Sequence, residues 1–196
     1  MSDQIGYRQF ERQWKTNAQL ALDTIAMRPT NGRAVGGFGI NDMQWSHLEE
    51  LSGHPPGSYP KDPVRVYRDF QLAAGVCFID QWIPENPLSM QEQGYGGETE
   101  RGATTGAEEI VRDGMDYEKI CRMKARDGDD LFIIAGVSVT TTLPHGTPAD
   151  VRREIDWLVE QGPDVGLMLG CSSSIAPGVP IENIRALIEG FRHYRD

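Results

Sequence analysis

The 196-residue sequence is poor in several things, and each scarcity narrows what it can be. It has only three cysteines, Cys77, Cys121 and Cys171, widely spaced and odd in number. That is no disulfide framework. No apolar run is long enough to span a bilayer, and the polar opening, Met1–Arg12, is not a charged-then-apolar signal segment. A cytoplasmic protein with no membrane partner is the expectation. Cations are outnumbered, 19 Lys and Arg against 29 Asp and Glu, for a net charge of −10. This argues against nucleic acid, whose phosphates demand a basic surface. Neither internal repeats nor low-complexity tracts occur. The sequence is 39% hydrophobic, enough for one core, and one domain over 1–196 is expected.

The carboxyl-terminal third carries the clearest pattern. Val165–Leu169 is a short apolar run bounded by glycine, as a buried strand should be. A polar loop, Cys171–Val179, follows and includes Ser172, Ser173 and Ser174. Pro180 then opens a helix whose Ile184, Leu187, Ile188 and Phe191 share one apolar stripe. The preceding unit repeats the form. Leu131–Val137 is strand-like, and Ser138–Gly146 is a Thr-rich loop. Thr147, Pro148 and Asp150 are cap, N1 and N3 of a helix striped by Val151, Ile155, Leu158 and Val159 and ended by Gly162. Consecutive strand–loop–helix units predict an α/β protein with parallel strands, and chemistry at the strands' carboxyl ends.

Upstream, Tyr7–Met27 has the spacing of one long helix, stopped by Arg28-Pro29. Gly32–Asn41 is glycine-rich but lacks P-loop and dinucleotide spacing, so a strand and turn are predicted. A short helix is expected within Asp42–Ser52. His47 and His54, seven apart, have the residue type of a metal pair or of solvated or locally bonded side chains. Asp62-Pro63 starts a helix that Gly75 stops, and Val76–Trp82 is predicted to be a strand carrying Asp80. An acidic residue near a strand's carboxyl end is a candidate for catalysis or substrate contact. Pro84–Gly106 reads as a long loop, and Asp116–Arg126 as a helix with Cys121 on its apolar stripe.

The ending, a buried strand, then Gly170-Cys171, a short loop and P-x-E-N-I-x-A-L (Pro180–Leu187), resembles the last βα unit of the uroporphyrinogen decarboxylase superfamily. The stretch LPHGTPADVRREI (Leu143–Ile155) resembles the unit before it. The resemblance covers Asp129–Tyr194 well and Phe10–Asp116 more weakly. It implies a TIM-type (β/α) barrel, with 1–116 as its amino-terminal part and 129–196 as the last two βα units. Such a barrel typically takes about 250 residues, so a partial or shortened barrel is expected, its middle missing near Met115–Asp130. The family implies a tetrapyrrole or corrinoid as substrate or as a group bound to a partner corrinoid protein.

Its methyl-transfer branch carries a zinc-ligating Cys at the place of Cys171, the zinc holding an acceptor thiol as thiolate. That branch adds a His-x-Cys pair on an earlier strand. This sequence contains no His-x-Cys, so its zinc site is incomplete. The decarboxylase branch has His where this chain has Cys171, and an arginine-rich motif that Arg28–Arg33 does not match. Catalytic candidates by placement are Asp80, near a strand's carboxyl end, and His145, the only histidine in a carboxyl-end loop and a potential proton donor. Ser172 and Ser173 are candidates for substrate binding, and Cys171 for metal. A third expectation is a non-catalytic barrel fragment, whose exposed strand edges would invite self-association.

Overall fold

The computed structural model describes residues 16–36, 43–79, 121–122 and 132–196. In chain order the described elements are α1 (residues 16–25), β1 (Ala34–Val35), α2 (Trp45–Ser52), α3 (Pro63–Ala74), β2 (Ile133–Val137), α4 (Thr142–His145), α5 (Pro148–Gln161), β3 (Leu167–Cys171) and α6 (Ile181–Arg195). Among the described residues the sheet is three-stranded and parallel, in the order β1-β3-β2. The expectation of an α/β protein with parallel strands holds.

Capping chemistry sets the helix boundaries. Asp62 accepts from Arg65 N–H at 3.2 Å with Pro63 behind it, and Gly75 ends α3 in the left-handed region at φ 76°. Thr147 and Asp150 form a reciprocal capping box at the start of α5. Gly162 closes α5 with extended backbone rather than a left-handed cap. Pro180 is the cap residue of α6, not its first helical residue, because its own ψ of 134° is extended.

Strand bounds differ from the sequence reading by two residues. Gly166 turns at φ 75°, so β3 begins at Leu167 rather than Val165 and runs on through Cys171. Pairing with β2 enforces this, since Ile133 lies opposite Leu167 and Val137 opposite Cys171. Cys171 is thus the last strand residue, not the first of the loop. The predicted strand Val76–Trp82 is not formed over residues 76–79. A backbone bond, Cys77 N–H to Val35 O at 2.8 Å, still lays this stretch beside β1. Asp80 lies outside the described residues, as do residues 7–15 of the predicted Tyr7–Met27 helix, the Pro84–Gly106 loop and most of the Met115–Asp130 join.

Alternation divides the sheet into two faces. Ile133, Ala135 and Val137 are buried on the face that α5 covers, in register with Leu167, Leu169 and Cys171. On the other face Ile134 is 56% exposed, in register with the buried Met168 and Ala34. Helix α6 packs its predicted stripe inward, with Ile184, Leu187 and Phe191 fully buried. Gly190 lets it approach α5, since a Cβ there would meet Ile155 Cδ1 at 2.5 Å. No helix among the described residues is long and apolar enough to cross a membrane.

The α2–α3 connection is held by polar contacts. Glu49, buried, accepts from Gly57 N–H at 2.9 Å and Tyr59 N–H at 2.7 Å. His54 Nε2 meets Asp69 Oδ2 at 2.9 Å. Burial pushes the Asp69 carboxyl up, but hydrogen bonds and charge from Arg68 and His54 outweigh it and hold the carboxyl below its ordinary value. A carboxyl depressed on folding stabilises above its unfolded pKa of 3.8, and that contribution disappears as pH falls through the lower folded value. Asp69→Asn should therefore flatten the loss of stability on acidification below about pH 4. Urea midpoints at pH 5 and roughly pH 3 check this; equal acid losses in both proteins would refute it.

Candidate functional site

The carboxyl ends of β2 and β3 bring two loops together. Ser172 N–H donates to Val137 O at 3.0 Å, and Val139 N–H donates to Ser172 Oγ at 3.2 Å. Ser138 Oγ accepts from Thr141 N–H at 3.1 Å and from Thr141 Oγ1 at 2.7 Å. Ser138 N–H donates to Glu154 Oε1 at 3.0 Å. The second oxygen of Glu154 is shielded from solvent and has no hydrogen-bond partner among the described residues. The rim is therefore rich in hydroxyls, with one carboxylate beneath it.

Cys171 is half-buried, on the helix-covered face. Burial pushes its thiol well above the ordinary value, and the Glu154 carboxylate adds to that. The thiol is protonated at neutral pH and is no nucleophile by itself. Among the described residues no three His, Cys, Asp or Glu side chains are placed to hold a metal. The other predicted donors are spoken for elsewhere. His54 pairs with Asp69 on α3, and His47, on α2, feels the charges of Glu182 and Arg185 of α6. Burial lowers the His47 imidazole below its ordinary value against the pull of Glu50 and Glu182. The described donor set around Cys171 thus does not fit a zinc ion, which needs about three protein ligands in a catalytic site.

Ser172 and Ser173 both lie exposed beyond β3. They differ in engagement: the Ser172 oxygen already accepts from the Val139 amide. His145 ends the one-turn helix α4, exposed, in the loop that follows β2. Cys171, Ser172 and the Ser138 turn are brought together; Asp80 lies outside the described residues.

Sequence reading missed Glu154 and Asn183. Glu154 sits beside the apolar stripe of α5, three residues after Val151 and one before Ile155, where a carboxylate looks solvated. Asn183 precedes Ile184 in the first turn of α6 and is buried. Its signal was a polar residue on the inner face of a striped helix.

Two depressions of about 510 and 420 Å³ adjoin at Pro29–Asn31. One faces Gln19 and Asp23 of α1, the other Arg33, Asp164 and Tyr194. Arg33 precedes β1 and Asp164 precedes β3, so these depressions lie at the amino ends of the strands, opposite the hydroxyl rim.

The fold and the rim define an α/β protein with a parallel sheet and a polar strand-end site. No family model, no curated protein and no solved structure matches the chain.

Proposed function

We propose that this chain is a shortened barrel of the uroporphyrinogen decarboxylase superfamily that receives a tetrapyrrole or corrinoid at the carboxyl ends of β2 and β3. The strand order carries this reading. The last strand in the chain, β3, lies between β1 and β2, parallel to both. A barrel closes in this way, its final strand pairing with its first and with its penultimate one. A doubly wound open sheet instead leaves its last strand at an edge. The stretch around Cys77, bonded to the far side of β1, fits the place of a second barrel strand.

Within the family, Cys171 favours the methyl-transfer branch over decarboxylation, which uses His there. The described donors do not complete a zinc site. What the chain's own residues offer is recognition: exposed Ser173, the Ser138–Thr141 turn and His145 can hydrogen-bond carboxylate or amide side groups of a macrocycle. A chain that binds such a ligand without turning it over is the non-catalytic form of the same reading.

Absorbance titration of the purified chain with hydroxocobalamin and with uroporphyrin tests the proposal. A saturable spectral shift with one of them is expected, weakened by Ser173→Trp, which would fill the rim. No shift with either ligand, in a folded protein, would remove the reading. Zinc content per chain sorts the branches: stoichiometric zinc that Cys171→Ser abolishes would favour methyl transfer and call for donors beyond the described residues.

A further inference from the structure

Asn183 is buried, and both hydrogen bonds from its side chain leave its own helix. Nδ2 donates to Leu143 O and to Gly146 O, each at 2.8 Å. Those carbonyls belong to the one-turn helix α4 and the residue that ends it. A helix this short has few bonds of its own: Leu143 N–H to Ser138 O, His145 N–H to Thr141 O and Gly146 N–H to Thr142 O. Its free carbonyls need donors, and water is excluded from Leu143, which is fully buried. An amide NH₂ group supplies two donors from one point, which no hydroxyl or hydrophobe of that size can do.

We propose that Asn183 is a positioning residue that joins the two strand-end loops: it anchors the His145 turn, which follows β2, to the first turn of α6, which follows β3 and Ser172–Ser173. The inference rests on the proposed site only in giving His145 a use; the coupling itself needs no ligand. A leucine at 183 would fill the space and leave both carbonyls unpaired. An aspartate would aim acceptors at acceptors. Neither substitution removes apolar contact from the sheet, so the effect should be local.

The test uses the full chain, by NMR and hydrogen exchange well below its melting temperature. In wild type, the two Asn183 side-chain amide protons should exchange slowly and give separate resonances; rapid exchange would overturn the proposal even if every variant failed to fold. In Asn183→Ala, amide exchange at His145 and Gly146 should rise by at least about tenfold relative to amides of the β2–β3 ladder. The His145 ring resonances should move, while those of His193, edge-on to Tyr194 at the other end of α6, stay in place. A uniform rise across the ladder, or an unmoved His145, would reduce Asn183 to an ordinary core residue. Because no substrate is involved, failure here leaves the ligand-binding titration standing, and the reverse holds too.

Discussion

Phe191→Ala is expected to lower the unfolding free energy by about 3–5 kcal/mol. Phe191 is fully buried on α6, within the same core as Ile184, Leu187 and the strand residues Leu167 and Leu169. Two terms act together: the lost transfer of an aromatic ring, and the cavity left where neighbours cannot collapse. Collapse is restricted because α6 is already close to α5 at Gly190. It is also tied at its far end, where Arg33 N–H donates to Tyr194 O at 2.7 Å and Arg195 Nη1 to Gly75 O at 2.8 Å. Urea denaturation measures the loss. Leu22→Ala is the control, since Leu22 is 58% exposed and should change stability by no more than about 0.5 kcal/mol. Equal, small losses in both variants would mean that α6 is not packed on the sheet.

Gly136→Ala should cost about 3 kcal/mol, at the upper end of what overpacking by one methyl group does. A Cβ at Gly136 would lie 2.5 Å from Cys171 C and 2.7 Å from Cys171 O, and would also strike Ser172 N. These are backbone atoms, with no side chain to swing aside, so the carboxyl ends of β2 and β3 would have to part. The bonds that hold the rim, Ser172 N–H to Val137 O and Val139 N–H to Ser172 Oγ, would lengthen with them. Gly170→Ala makes the contrast: among the described residues its Cβ would meet only Ile134 Cγ2, at the ordinary distance of 3.6 Å. Melting curves of the two variants check this. A Gly136→Ala protein as stable as Gly170→Ala would show that β2 and β3 are not in the register that sets Val137 opposite Cys171.

Much of this architecture follows from local sequence. Asp62-Pro63 with Gly75, and Thr147-Pro148 with Asp150, mark helix ends through side chains that bond backbone groups a few residues away. The stripes of α5 and α6 follow from a period that any buried helix face must show. Such information is short-range, so a sequence displays it directly. The strand–loop–helix alternation likewise implied parallel neighbours, and β2 and β3 pair as parallel strands.

What the chain could not disclose by itself is long-range. That β3 pairs with β1 across more than a hundred residues is decided by long-range strand pairing, not by any local pattern. The start of β3 at Leu167 is set by the partner strand, which moved Cys171 from loop to strand and onto the helix-covered face. Its thiol, a natural metal ligand by residue type, is held protonated by burial and by Glu154, a neighbour seventeen positions back. Asn183 and Glu154 read as ordinary helix residues until the fold sets them against carbonyls and an amide of another loop. Sequence determined the long helices and the two strands β2 and β3, because hydrophobic period and capping act within a turn or two; it did not determine α4 or the non-strand course of residues 76–79. Tertiary structure decided which groups meet at the strand ends, because desolvation and hydrogen bonding there depend on partners that only the assembled parallel sheet and its helices bring within reach.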